Sequence, residues 1–98
     1  MYELSRLAAE DFAAIFEYTL LNFGKAQAEE YQQGLETVLT LLSEQPRMGF
    51  ACPAVLDGLY CHPHKKHNIF YRQQPGGVYV LRLLHQRSVL PKHRLMED

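Results

Sequence analysis

His67-Asn68-Ile69-Phe70-Tyr71-Arg72-Gln73, then Gln74-Pro75-Gly76-Gly77, then Val78-Tyr79-Val80-Leu81-Arg82-Leu83-Leu84-His85 is the stretch on which the fold turns. Two runs rich in β-branched and aromatic residues flank a proline–glycine–glycine corner, which is the composition of a β-hairpin. Val78–Leu84 is apolar on both faces except at Arg82, so it predicts a central strand with helices over one face and other cover over the second. Upstream, Gly58–Pro63 predicts a third strand, and residues 50–58 read as loop.

The N-terminal half has a different period. Tyr2-Glu3-Leu4 predicts a short strand and Ser5 a helix cap. Ala8, Phe12, Ile15, Phe16, Thr19 and Phe23 then recur at helical spacing, one face of an amphipathic helix. Gly24 supplies its stop. A second helix is expected over residues 25–45, with Ala28, Tyr31, Leu35, Val38, Leu39 and Leu42 on one face and Pro46 at its end. A single glycine between the two predicts an antiparallel helical hairpin. Gly34, costly in mid-helix by about 1 kcal/mol, suggests a close approach between the helices. The expected fold is a two-layer α+β sandwich, with the helical hairpin on a small, mainly antiparallel sheet in the order β-α-α-β-β-β. It occupies one domain over residues 1–98, of which 89–98 read as a polar tail.

The 98 residues, 47% of them apolar, suffice for one core but leave little for a deep substrate cavity. No apolar stretch approaches the ~18 residues that cross a bilayer, and the start of the chain lacks the pattern of a secretory signal. Cys52 and Cys61 are too few to staple a secreted mini-domain and read as free thiols of a cytoplasmic protein. A net charge of −1 conceals two unlike halves. Residues 1–46 carry eight carboxylates against two cations, and residues 47–98 carry eight cations against three carboxylates, with all five histidines. Either the basic half faces something anionic, or the halves neutralise each other within the fold.

Several local sequences, in register along the chain, resemble the RelE/ParE superfamily of bacterial toxins. They are the paired helices from Ser5, the ending Leu42-Ser43-Glu44-Gln45-Pro46-Arg47-Met48-Gly49, the strand Gly58-Leu59-Tyr60-Cys61-His62-Pro63, the strand His67-Asn68-Ile69-Phe70-Tyr71-Arg72, and the last strand closing on His85-Gln86-Arg87. The resemblance implies the toxin component of a type II toxin–antitoxin system. RelE-type members are ribosome-dependent messenger-RNA interferases. ParE-type members share the fold without that activity and typically poison DNA gyrase. Both are silenced by a cognate antitoxin, here expected to present an acidic, partly disordered segment.

An interferase needs an acid, a base and cations for the phosphorane, and Lys65, Arg72, Arg82 and His85 are the candidates. Against this, Gln86-Arg87-Ser88-Val89 follows His85 where RelE-type enzymes commonly carry a tyrosine, and the loop before the sheet offers no clear glutamate base. Strand alternation also puts Arg82 and His85 on opposite faces unless a bulge intervenes. The ParE branch is therefore expected, acting by binding without catalysis. Arg82, His85, Arg87 and the tail are the candidates for toxicity, and Tyr2, Phe12, Phe16 and Arg72 for the antitoxin surface. Plain structural roles compete at each: Arg72 and Arg82 as a surface pair, His85 as a strand-end hydrogen-bonder, Lys65 and Lys66 as a charged hairpin that blunts an edge. Cys61-His62-Pro63-His64-Lys65-Lys66-His67 invites zinc. Structural sites draw on two separated ligand pairs, however, and two lysines repel the cation, so neither metal nor cofactor is expected. Nor is direct nucleic-acid binding by the chain alone. An inactive relative that binds a partner or regulates its own operon is the remaining alternative.

Overall fold

In the computed structural model residues 1–87 are described; the polar tail expected over 89–98 lies outside them. Strand β1 (Tyr2–Leu4) leads into α1 (Arg6–Phe23) and α2 (Lys25–Glu44), followed by a single 3-10 turn (Pro46–Met48), β2 (Phe50–Ala51), β3 (Tyr60–His64), β4 (His67–Gln74) and β5 (Gly77–His85). The five strands form one sheet in the order β1-β5-β4-β3-β2, with β1 parallel to β5 and every other pair antiparallel. The α+β order read from the sequence is the order found, with β5 central as its two apolar faces required. β2 corrects the loop reading of residues 50–58. Two exposed residues carry no period of their own, and they become a strand only by pairing with Tyr60 and Cys61.

Gly24 alone joins the helices, at φ +93°. Its N–H caps the Leu20 carbonyl and its own carbonyl accepts from Ala28, so one residue ends α1 and begins α2. Ser5 caps α1 by accepting the Ala8 N–H at 3.0 Å, and it also ties the helix to the sheet. Its N–H donates to the Val80 carbonyl at 2.9 Å and its hydroxyl to that of Leu81 at 2.8 Å. Leu81 is the extra residue of a β-bulge: Phe70 pairs with Arg82 and Tyr71 with Val80, so the carbonyl left out of the ladder is satisfied from the cap of α1.

Ala8, Leu35, Leu39 and Leu42 from the helices meet Ile69, Tyr71, Val78, Val80 and Leu83 in the main core. On the opposite sheet face, Leu59, Phe70 and Leu81 form a smaller core, with Val55 and Leu56 of the β2–β3 connection packed against it. That connection is the second cover β5 demanded. Buried Tyr71 secures the segment between α2 and β2. Its hydroxyl donates to the Pro46 carbonyl at 2.7 Å and accepts the Gly49 N–H at 3.1 Å. Gly49 has no room for a side chain, since a Cβ there would stand 2.6 Å from that hydroxyl. Gly34 corrects another expectation: the close approach it permits is to the His64 ring in the sheet, 3.4 Å from a built Cβ, and not to the neighbouring helix.

Candidate functional site: an imidazole–lysine cleft at the end of the sheet

Where the tip of the helical hairpin overhangs the ends of β4 and β5, a cleft of about 570 Å3 opens. Its helical wall is Ile15, Tyr18, Phe23 and Tyr31; its sheet wall is Lys65, Lys66, His67, Leu83 and His85. The pairing His64↔His67 leaves Lys65 and Lys66 as the turn of the β3–β4 hairpin, and His67↔His85 brings the third histidine alongside. Lys65 holds φ +54°, a left-handed conformation that costs a lysine about 1 kcal/mol or more. Gln86 clamps this turn: its N–H donates to the Lys66 carbonyl at 2.9 Å and its side-chain amide to that of Lys65.

Tyr31 organises the cluster. Its hydroxyl lies 2.6 Å from His67 Nδ1 and 3.4 Å from the His64 carbonyl, and Lys65 Nζ stands 5.6 Å from its ring centroid. The His67 and His85 rings meet edge to face at 5.6 Å. Burial raises the Tyr31 phenol above its usual range. His67 is pushed down by burial first, then by His85 and His64, against a smaller upward pull from Asp11. His64 is pushed down by burial, then by Lys65 and His62. With the phenol protonated and the imidazole neutral, the direction of the Tyr31–His67 bond is set by the imidazole tautomer.

These shifts set a pH dependence. A histidine whose pKa is lower folded than unfolded binds more protons unfolded, so its contribution is present above the unfolded value near 6.5 and is lost as pH falls below it toward the folded value. The melting temperature is therefore expected to decline between pH 7.5 and pH 5, and His67→Gln should flatten that slope. An unchanged slope in the variant would assign the decline elsewhere.

Arg82 is engaged inside the molecule. Its Nε and Nη2 donate to the two Asp11 carboxylate oxygens at 2.7 and 3.0 Å, with side chains only 14% and 16% exposed. Asp11 also accepts the Leu83 N–H at 3.0 Å. The bulge precedes Arg82, and the ladder runs regularly from Arg82 to His85, so alternation still separates these two. Arg72 stands toward the other end of the hairpin, its guanidinium 5.2 Å from the Tyr79 ring; five residues of strand from His67 amount to roughly 17 Å. The cleft thus gathers Lys65, Lys66, His67 and His85, with exposed Arg87 just beyond, and leaves Arg72 and Arg82 out. Tyr2 on β1 and Phe12 on α1 pack half-buried on the main core, Phe16 is half-buried on α1, and Arg72 is exposed on β4.

Sequence reading missed Asp11 and Tyr31, and it weighed His67 only for zinc. Asp11 had a signal: it lies three residues after Ala8 and four before Ile15, a carboxylate on an apolar face. Among the described residues, no group of three or more His, Cys, Asp or Glu is placed to hold a metal ion, and no helix is long and apolar enough to cross a membrane.

A helical hairpin on a five-stranded sheet, with a cleft of histidines and lysines at the sheet's end, makes a small two-layer α+β domain. The family model described as "ParE toxin of type II toxin-antitoxin system, parDE" matches residues 2–90. Toxin ParE1 of Mycobacterium tuberculosis is 33% identical over 87 residues, covering 88% of this chain and 89% of its own. Toxin ParE1 of Caulobacter vibrioides is 32% identical over 85 residues, covering 87% and 88%. A solved structure described as the chromosomal ParDE TA system from P. aeruginosa shares the fold, with a TM-score of 0.73 at 19% identity over 86% of this chain and 92% of that one. The chain belongs to the ParE toxin family of type II toxin–antitoxin systems.

Proposed function

We propose that this toxin arrests growth by binding DNA gyrase, without catalysis of its own, and that a cognate antitoxin silences it. The observation that carries this reading is the family match over nearly the whole chain. The geometry supports it by what it keeps apart: Arg82 is occupied by Asp11, and Arg72 lies far along β4. Phosphoryl chemistry would need such cations converging on one phosphate. The target surface is the exposed end of the sheet, Lys65, Lys66, His85 and Arg87, together with the tail. Arg82 acts indirectly, by fixing β5 to α1.

The antitoxin contributes an acidic, partly disordered segment that answers the basic half of the chain. Tyr2 and Arg72 on the sheet and Phe12 and Phe16 on α1 are its candidate contacts. Lys65, His67 and His85 around one cleft keep a ribosome-dependent ribonuclease as the second reading.

One experiment separates them. Induction of the chain alone should arrest growth, and co-induction of the neighbouring open reading frame should relieve it. The purified toxin should inhibit gyrase supercoiling or trap cleaved DNA while leaving ribosome-bound message intact. Cut message with untouched gyrase, and loss of cutting in His85→Gln, would overturn the proposal in favour of the ribonuclease. Absence of any arrest would point to an inactive relative.

A further inference from the structure

Away from the cleft, on the opposite face of the sheet, the fold brings two thiols together. Phe50 pairs with Cys61 and Ala51 with Tyr60, and the ladder continues as the Cys52 N–H donates to the Leu59 carbonyl at 2.8 Å. Paired residues share a face and alternate residues return to it, so Cys52 and Cys61 stand on one face, on the diagonal of a two-by-two block. Of the two diagonals, the right-handed twist of an antiparallel ribbon shortens the one they occupy. Both thiols pack half-buried against the Leu59–Phe70–Leu81 core.

We propose that Cys52 and Cys61 form an oxidation-responsive pair, which a hydroperoxide converts to an intramolecular disulfide that pins the loop after β2 to β3. The Cys52 thiolate attacks the distal oxygen of the peroxide; the O–O bond breaks, Cys52 becomes a sulfenic acid, and the other oxygen leaves as water or alcohol with the thiol proton. Cys61 sulfur then displaces the sulfenic hydroxyl, which departs as water with the Cys61 proton. Two thiols lose two electrons in all, and the peroxide gains them.

The order of attack follows from the environment. Burial first, and then the neighbouring Cys52, push the Cys61 thiol up to about 11, so it carries little thiolate near neutrality and acts second. Ring closure should therefore quicken as pH rises from 7 to 9. A disulfide needs Cα atoms about 4.4–6.8 Å apart, against roughly 7–8 Å for an untwisted diagonal. The twist and a two-residue edge strand supply the adjustment.

No lysine or arginine lies between Met48 and Lys65, so trypsin leaves both cysteines in one peptide, and cleavage at Asp57 then divides them. The full chain, treated with hydrogen peroxide and alkylated, should yield this peptide lighter by two hydrogens. Its halves should stay joined after cleavage at Asp57 until reductant is added. Cys61→Ser should stop at a sulfenic acid that dimedone traps. Closure in the native protein should be several-fold faster than in urea, because the fold and not mere sequence proximity places the pair. Two freely alkylated thiols, sulfinic acids alone, disulfides between chains alone, or equal rates in urea would each overturn the proposal.

Discussion

Asp11→Ala should lower the unfolding free energy by about 2 kcal/mol, between the cost of breaking an exposed ion pair and that of breaking a fully buried one. The substitution leaves the Arg82 guanidinium without the carboxylate that meets two of its nitrogens, and it takes away the acceptor of the Leu83 N–H. Arg82→Ala should cost somewhat less, since Asp11 keeps the Leu83 amide. Removing both should cost clearly less than the two losses added, because each single variant already removes the shared interaction. Urea titrations of the four proteins give the coupling directly. A coupling below about 0.5 kcal/mol would mean that the pair behaves as a solvated surface bridge. The same pair decides between the two readings of the divided charge. One cation of the basic half is neutralised internally by the acidic half, while Lys65, Lys66, Arg72 and Arg87 remain exposed. Internal neutralisation therefore holds for Arg82, and the exposed cations are the ones open to an anionic partner.

Tyr71→Phe should cost about 2 kcal/mol and lower the melting temperature by roughly 10 °C, given 4–8 °C per kcal/mol for a domain of this size. Its aromatic ring stays in the core, so the loss isolates two hydrogen bonds, to the Pro46 carbonyl and from the Gly49 N–H. The damage should be local as well as global. The Gly49 amide should exchange with solvent far faster in the variant, while amides at the centre of β5 follow the overall stability. Were the Gly49 amide to remain protected, the hydroxyl would not be what holds the connection between α2 and β2.

Most of the fold was legible because it rests on period and punctuation. The run from Ala8 to Phe23 can bury one face only as a helix, and Val78–Leu84, apolar on both sides, can be satisfied only at the centre of a sheet. β2 was not legible, because two exposed residues acquire strand character from their partner and not from themselves. Gly34 announced a close approach without saying to what, and the answer, His64, depends on how the two layers stack. The site was read less completely. His85 and Lys65 were found because polar residues at a strand end and in a turn stand out. Arg82 was also singled out, as the one charge in an apolar strand, but its partner lies 71 residues away and no local pattern announces such a distance. Tyr31 was read as core, and its ring does pack there; the work of its hydroxyl on His67 becomes visible only when β4 is placed beneath α2.

β1 ends at Leu4, yet β5 continues to His85, so among the described residues no strand pairs with that side of β5 beyond Val80. Ser5 and Asp11 occupy that flank, taking up the Val80 and Leu81 carbonyls and the Leu83 N–H. A bare ladder of this kind, on an apolar strand, is a template on which another chain can add a strand. The beginning of α1 therefore acts as a guard against self-association as well as a source of stability. Concentrated samples of variants that lose Asp11 should form sheet-rich aggregates, while dilute samples stay soluble enough for urea titration.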